Sequence, residues 1–322
     1  MGRHEVCPYM VQNLFYRGND SMIYPFTEQQ EKNILGKWGY DFLRILRYTL
    51  KVLPEKWALY DLEFGEYYSC NAIFFCRSEK YGDCVLKINR DGDEALDDYN
   101  ALREHSGDHH IRAFEYEDGA VLVERAIPGE KLSAEPSLEK RLAAFSELFN
   151  GRHIAPKNPQ LFDTYAIWFD FCMNCVESRR EDFEELYAHA VKAREIYAKM
   201  ASVYDRKLLI HLDLCSLNIV SCGNGRYKIV DPYRTVIGDP VIETGRFIHY
   251  EKDQNSEKTE GILDYLEKSL NIPNEILRQC FYLDTVIIAC ENTQWGSMGG
   301  AGRIDGIRFA EKLMNEINRG IS

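Results

Sequence analysis

The stretch that most constrains the fold covers residues 208–231, where an apolar segment leads into a polar loop and then into two short β-rich segments. Hydrophobic residues at 208–210 indicate a strand, and the Gly-Asn-Gly sequence at 223–225 indicates the turn of a hairpin. Four polar residues stand out: His211, Asp213 and Asn218 in the loop, and Asp231 directly after the hairpin. This order places an asparagine and an aspartate on adjacent short strands.

These residue types suit phosphoryl transfer, which requires from a protein mainly positioning and neutralisation of charge. Asp213 fits the role of the carboxylate at an acceptor hydroxyl. A hard cation such as Mg²⁺ prefers carboxylate and amide oxygens, which Asp231 and Asn218 can supply together with substrate phosphates. His211 is expected to support the loop rather than react. The alternative is an ordinary loop with a capping aspartate, but the hairpin and Asp231 follow in the order that a kinase catalytic loop requires.

Residues 211–218 (HLDLCSLN) and 229–232 (IVDP) resemble the catalytic and metal-binding loops of the aminoglycoside phosphotransferase family, small-molecule kinases related to the protein kinases. The chain has Leu212 where that family usually has Gly, and Cys215 where it often has His. Residues 231–243 resemble the D-P-x-x-x-x-x-G-D-P-x-x-[DE] pattern of the branch that contains streptomycin kinases and aminoglycoside/hydroxyurea resistance kinases.

The resemblance implies an α+β chain with a protein-kinase-like two-lobed fold, in which a small β-rich N-lobe with an antiparallel sheet precedes a larger, mainly helical C-lobe. It implies an ATP-dependent kinase, with GTP as an alternative donor, that uses Mg²⁺ and phosphorylates a hydroxyl of a small molecule. An aminoglycoside-type antibiotic is the first candidate acceptor. Residues 1–124 would form an N-terminal extension and the nucleotide-binding lobe, and residues 125–322 the lobe with the catalytic loop and substrate site.

The N-lobe is expected to contain an amphipathic helix that Pro54 ends, followed by β-rich segments. The helix should cover residues 27–53, with Thr27 and Gln30 as a capping box, and the strands residues 57–62, 72–76 and 84–88. Lys87 lies on the third segment, in a Val-Leu-Lys-Ile setting where a kinase lysine reaches the α and β phosphates.

A helix over residues 91–105 should supply a carboxylate to Lys87. Three acidic residues compete for that role: Glu94, Asp97 and Asp98. The resemblance favours Asp98, whereas the longer side chain favours Glu94, and both stay open at this point.

Two further nucleotide contacts follow from the resemblance. Ser69, in a polar loop between the first two strands, is expected to cap the phosphates, although a simple turn explains this loop equally well. After a hairpin at residues 111–125, the backbone C=O of Glu124 and the N–H of Ala126 would pair with adenine at the hinge between the lobes.

The C-lobe is expected to be helical, with its substrate contacts beyond Asp231. The main helices should cover residues 162–178, 183–204, 259–270, 274–290 and 305–319. Candidate substrate contacts are Asp239, Glu243, Glu291 and Trp295. For Asp239, which lies in a Gly-Asp-Pro turn, a structural role is the favoured alternative.

Composition limits the partners. The net charge of −12 disfavours nucleic acid, whose phosphates require a basic surface, and is compatible with a cationic small molecule. No apolar run approaches the length of a membrane span and no signal peptide is evident, so we expect a cytoplasmic protein without a membrane partner. Ten cysteines are scattered through apolar segments, as expected for reduced thiols.

Three alternatives stay open from the sequence. The first is that the acceptor is a neutral sugar, an amino alcohol or another metabolite instead of an antibiotic. A second alternative is that the chain is a non-catalytic kinase-like nucleotide-binding module. Such proteins usually lose the lysine, the base or a metal ligand, and this chain retains all of them. The third is that Cys172 and Cys175 form a redox or metal site. We favour the simpler interpretation that both cysteines lie on a buried helix face.

Overall fold

The N-terminal part of the chain begins with a long helix. The computed structural model describes residues 24–65, 71–90, 92–105, 107, 109–252, 256–293 and 301–316. Helix α1 (Glu28–Lys56) starts at the predicted capping box, in which the Thr27 hydroxyl and the Gln30 side chain each accept the other residue's backbone N–H. Contrary to expectation, Pro54 does not end the helix, which bends earlier at Gly39, where φ is 83°.

A five-stranded antiparallel sheet follows, as predicted, in the order β1-β2-β3-β5-β4. Its strands are β1 (Leu59–Phe64), β2 (Asn71–Ser78), β3 (Gly82–Asn89), β4 (Ala113–Glu117) and β5 (Ala120–Glu124), and helix α2 (Gly92–His105) joins β3 to β4. Trp38 and Phe42 of α1 join Phe74 of β2 and Leu86 of β3 in one buried apolar cluster. Helix α1 therefore packs on the sheet, as expected from its apolar stripe.

The C-terminal part is mainly helical. Its helices are α3 (Leu138–Arg152), α4 (Tyr165–Glu177), α5 (Glu184–Ala201), α6 (Glu243–Glu251), α7 (Ser256–Leu270), α8 (Asn274–Asn292) and α9 (Ala301–Glu316). Its strands are β6 (Leu208–His211), β7 (Ile219–Ser221), β8 (Tyr227–Ile229) and β9 (Thr235–Gly238). Helix α8 lies at the centre and contacts α4, α5, α6, α7 and α9. Among the described residues, no helix has both the length and the apolar composition that a membrane span requires.

The β7–β8 hairpin is hydrogen-bonded to two segments: the connection between α2 and β4, and the segment that follows β5. On one side, Ile229 accepts the Ile111 N–H at 3.1 Å and donates to the His109 carbonyl at 2.8 Å. On the other, Ser221 accepts the Gly129 N–H at 3.0 Å and donates to the Glu130 carbonyl at 2.8 Å. The hairpin that leads to Asp231 is therefore held against the sheet-containing lobe by backbone hydrogen bonds.

Gly245 sets the close packing of α6 against α8. A Cβ atom at this position would overlap the backbone carbonyl of Cys280. We expect Gly245→Ala to destabilise the protein by about 1–3 kcal/mol or more, because a backbone group cannot move aside as a side chain can. Urea denaturation measures this. Gly261→Ala on α7, where a Cβ would meet nothing within 4 Å, is the control and should be neutral or stabilising; equal effects at both positions would contradict the interpretation.

Candidate active site

Lys87 lies between two carboxylates where the lobes meet. Its ammonium contacts Asp98 of α2 and Asp231, which follows β8. Asp98, and not Glu94 one turn earlier, is thus the carboxylate that the helix supplies. The buried face of α2 carries Ala95 and Ala101 on either side of Asp98, so the helix can approach the sheet closely enough for a short side chain to reach the lysine.

Charge and burial oppose each other at this lysine. The Lys87 side chain is 9% exposed. Burial lowers its pKa, but Asp98 and Asp231 outweigh that effect and raise the pKa above its ordinary value, so the ammonium form is retained. Burial raises the pKa of Asp98 to about 7 although Lys87 opposes the shift, whereas Lys87 outweighs burial at Asp231 and lowers the pKa of that carboxyl.

His211 holds the catalytic loop through backbone contacts. Its ring Nδ1 accepts the Asp213 N–H at 3.1 Å, and its Nε2 lies 3.3 Å from the Val230 carbonyl. The residue is fully buried, and burial lowers its pKa, so the ring is neutral. Both ring nitrogens are thus engaged by the backbone, which favours the supporting role expected for His211 over a reacting one.

Asp213 and Asn218 are joined directly. The Asn218 Nδ2 donates to the Asp213 Oδ2 and to the Asp213 carbonyl, at 2.9 Å each. The Asp213 side chain remains 22% exposed, so a substrate can reach it. Because the amide nitrogen of Asn218 faces Asp213, its Oδ1 is directed elsewhere and can serve as a ligand.

Asp231 completes a pair of oxygen donors that fits a hard cation. The Val230 N–H donates to the Asn218 carbonyl at 2.9 Å, which brings Asn218 beside the residue that precedes Asp231. Asp231 has a φ of 62°, in the left-handed region that residues other than glycine rarely adopt, and such strained positions cluster at functional sites. Its side chain is 35% exposed. One carboxylate and one amide oxygen are ligands that Mg²⁺ accepts.

Arg246 of α6 contacts the same loop and was not identified from the sequence. Its Nη1 donates to the Asp213 Oδ1 at 2.7 Å, and its Nε donates to the Asp284 Oδ1 of α8 at 2.8 Å. In sequence, an arginine three residues after Glu243 is typical of a solvent-exposed helix face. Nothing in the local pattern indicates a partner on α8, so only the packed structure reveals this contact.

Glu243 is buried and paired with basic side chains, so its carboxylate is not accessible to a substrate. Its side chain is fully buried, as is that of its partner Arg152, and its carboxylate also contacts His153 and the backbone N–H of His211. Burial raises its pKa, but Arg152 and His153 outweigh that effect and lower it to about 2. The sequence-based substrate role is therefore corrected: Glu243 anchors the start of the catalytic loop.

The other candidate substrate contacts have structural partners or lie outside the described residues. Asp239 binds Arg206 through both oxygens, at 2.9 and 3.0 Å, and accepts the Val241 N–H at 3.1 Å, which is the structural role favoured from sequence. Glu291 forms an ion pair with Arg234 at 2.7 Å. Trp295 and Ser69 lie outside the part of the chain that the structure describes.

The expected hinge residue Glu124 ends β5 beside the C-lobe. Its carboxylate accepts from Lys228 of β8 at 2.8 and 2.9 Å and from Arg112 at 3.3 Å. Arg112 precedes β4 and Lys228 lies on β8. The Glu124 side chain therefore connects the end of the sheet to the hairpin that leads to Asp231. The adenine contacts of the Glu124 carbonyl and the Ala126 N–H stay predictions.

The two cysteines on α4 lie in different environments, and Cys172 is fully buried. Both Cys172 and Cys175 are free thiols, and burial raises the pKa of Cys172 well above its ordinary value. Because the thiolate is the reactive form, the burial and raised pKa of Cys172 favour the buried helix face over a redox or metal site. The Cys175 thiol donates to the Phe171 carbonyl at 3.2 Å.

Two stacked histidines lie buried near the catalytic loop. The rings of His105, which ends α2, and His110 have centroids 3.8 Å apart and planes inclined by 17°. Burial, reinforced by the Arg152 charge, lowers the pKa of His105 to about 3, and burial likewise lowers that of His110 far below its ordinary value. Both imidazoles are therefore neutral in the folded protein.

These histidines should make the protein less stable in mild acid. The unfolded state binds protons below the ordinary pKa of 6.5, whereas the folded state excludes them, so their stabilisation is present above that pH and is lost as the pH falls. We expect a loss of about 1.4 kcal/mol per pH unit for each histidine. Urea denaturation at pH values from about 7.5 to 5 measures it. His105→Gln should reduce the slope; a pH-independent free energy of unfolding would contradict the expectation.

Comparison with known proteins gives structural neighbours only. No protein-family model and no curated protein sequence matches the chain. Choline kinase LicA from Streptococcus pneumoniae superimposes with a TM-score of 0.59 at 14% identity, over 84% of this chain and 99% of that one. A choline/ethanolamine kinase family protein from Mesorhizobium loti gives 0.63 at 13% identity, over 86% and 97%.

A thermostable mutant of aminoglycoside phosphotransferase APH(4)-Ia, in ternary complex with ADP and hygromycin B, gives a TM-score of 0.55 at 18% identity, over 84% of this chain and 97% of that one. At these identities the likeness concerns the fold. It does not single out the streptomycin kinase branch. The chain therefore has the protein-kinase-like fold that choline kinases and aminoglycoside phosphotransferases share.

Proposed function

We propose that the chain is an ATP-dependent O-phosphotransferase that phosphorylates a hydroxyl of a small molecule. The observation that carries the proposal is the convergence of four side chains where the lobes meet: Lys87, Asp213, Asn218 and Asp231. They come from both lobes, and each has the chemical type that phosphoryl transfer requires at its position. A fold whose solved neighbours are small-molecule kinases supports the same conclusion.

Each residue has a defined part in the reaction. Lys87, held by Asp98, would orient the α and β phosphates of ATP. Asp213 would accept a hydrogen bond from the acceptor hydroxyl and take its proton as the oxygen attacks the γ-phosphorus. The new P–O bond forms while the bond between the γ-phosphorus and the β–γ bridging oxygen breaks, so ADP leaves and the proton passes from Asp213 to solvent. Asn218 and Asp231 would hold Mg²⁺, which when bound neutralises phosphate charge.

The acceptor is less well defined than the reaction. An aminoglycoside remains the candidate that the sequence resemblance favours. One observation favours a smaller or neutral acceptor, such as an amino alcohol or a sugar: the carboxylates Asp239, Glu243 and Glu291, considered for binding a cation, are paired with arginines instead. A polycation requires carboxylates that are free to bind it.

An acceptor panel distinguishes these classes. Mg²⁺-dependent release of ADP would be measured with streptomycin, hygromycin B, choline, ethanolamine and glucose, each with and without EDTA. We expect stimulation by at least one class of hydroxyl compound and its loss on chelation. Stimulation by an aminoglycoside alone would identify a resistance-type kinase, and stimulation by choline, ethanolamine or glucose would identify a metabolite kinase. Tight binding of ATP without turnover for any acceptor would indicate a non-catalytic module.

A further inference from the structure

Arg246 connects the proposed catalytic carboxylate to the core of the C-lobe. Its guanidinium binds Asp213 through Nη1, at 2.7 Å, and Asp284 through Nε, at 2.8 Å. The side chains of Arg246 and Asp284 are each only 10% exposed. The three residues thus form a continuous chain of charge-assisted hydrogen bonds that runs from α8 through α6 to the catalytic loop.

The two oxygens of Asp213 are held by different elements. Arg246 binds Oδ1, and Asn218 of the loop itself binds Oδ2 at 2.9 Å. A carboxylate with a donor on each oxygen cannot rotate about its terminal bond without breaking one of them. Its orientation is therefore fixed before an acceptor arrives, which is the kind of preorganisation that raises the rate of a bound reaction.

We propose that Arg246 is a positioning residue for phosphoryl transfer, which fixes Asp213 in the orientation that receives the acceptor hydroxyl, and that Asp284 fixes Arg246. This inference rests on the proposed function. A loose phosphoryl-transfer transition state depends more on the position of the acceptor oxygen than on the strength of the base, so a fixed carboxylate is what this step requires.

The competing explanation is that Arg246 only neutralises Asp284 between α6 and α8. That role requires a single contact, which Nε already makes. The two explanations differ in their effect on kcat: a purely structural pair changes stability, whereas a positioning residue changes turnover while leaving nucleotide affinity intact. Measurements on folded variants can therefore separate them.

The test uses Arg246→Ala and Arg246→Lys in the full chain, with ³²P transfer from labelled ATP to the same acceptor panel. We expect Arg246→Ala to lower kcat by about 10- to 100-fold with KM for ATP within about 2-fold. Millimolar guanidinium chloride should restore part of kcat in this variant but not in Asp213→Asn. Arg246→Lys should be intermediate, because one ammonium cannot reproduce both contacts of the fork.

Arg141→Ala is the matched control. Arg141 binds Glu251, at the other end of α6, at 2.8 Å, and the two side chains are 16% and 4% exposed. Arg141 lies on α3, so this variant loses a similar ion pair between α6 and a neighbouring helix. The pair makes no contact with the catalytic loop. We expect it to lower the melting temperature and to leave kcat unchanged.

The outcomes separate this inference from the proposed function. If the wild-type protein is active and the folded Arg246→Ala variant has an unchanged kcat, the role of Arg246 is overturned while the proposed function stands. The same holds if Arg246→Ala lowers kcat only as much as Arg141→Ala does and guanidinium does not restore it. If Arg246→Ala does not fold, Arg246→Lys and Asp284→Asn decide the question, since reduced kcat in both supports the role and unchanged kcat overturns it. A wild-type protein that transfers phosphate to no acceptor would overturn the proposed function as well.

Discussion

Asp213→Asn should fold, bind ATP and lose phosphoryl transfer, with kcat reduced by about 10²- to 10⁴-fold. Asparagine is nearly isosteric with aspartate, but it cannot take the proton of the acceptor hydroxyl. The site that holds ATP should survive, because Lys87 is bound by Asp98 and Asp231 and not by Asp213. Steady-state kinetics with the best acceptor, together with equilibrium binding of ATP, measure the two effects separately.

A suitable control for that variant is Asp170→Asn on α4. Asp170 pairs with Arg194 at the surface, with its side chain 63% exposed. It carries the same change of charge at a distance from the loop and should leave kcat unchanged. Normal turnover in Asp213→Asn would contradict the role of Asp213, and loss of ATP binding would mean that the residue acts on the nucleotide site instead.

Glu243→Gln should be among the most destabilising single substitutions in the chain. It would leave the guanidinium of Arg152 buried, with side-chain exposure of 0%, and without its carboxylate. Breaking a buried ion pair by removing one partner costs about 3–5 kcal/mol. The substitution also weakens the contact to the His211 N–H, so the catalytic loop should lose order together with stability. Urea denaturation measures the change in the free energy of unfolding.

Two further variants check the cause of that loss. The double substitution Arg152→Met with Glu243→Gln removes both charges and should recover part of the stability, because the uncompensated charge is then absent. Glu185→Gln breaks an exposed pair with Arg308 and should have little effect. If Glu243→Gln were as stable as Glu185→Gln, the anchoring role of Glu243 would be wrong.

The proximity of the polar residues between 211 and 231 was predictable because they are close in sequence. His211, Asp213 and Asn218 lie within eight residues on one loop, and Asp231 follows a hairpin whose turn is marked by glycines. The antiparallel sheet was implied by the family resemblance, and the helical C-terminal part by that resemblance together with helical spacing; both are confirmed. The short strand β9 was missed, because its four residues pair with β6 at long range.

The partners of charged residues were not predictable. The sequence shows that carboxylates occur at Glu243 and Glu291. It does not show that Arg152 and Arg234 form ion pairs with them. The contacts of Arg246 were not predictable for the same reason, because its partners Asp213 and Asp284 lie on a loop and a helix that are distant in sequence. At Lys87 the choice between Glu94 and Asp98 depended on how closely α2 packs on the sheet, which the alanines on its buried face determine only once the lobes are assembled.

The most direct test is to follow the labelled phosphoryl group itself. The protein would be incubated with [γ-³²P]ATP, Mg²⁺ and a fractionated extract of small metabolites, in parallel with Asp213→Asn. Label should appear in an acceptor that is neither ADP nor inorganic phosphate, depend on Mg²⁺ and be absent with the variant. Label that reaches no small molecule, or that is transferred equally by Asp213→Asn, would contradict a kinase site built on Lys87, Asp213, Asn218 and Asp231.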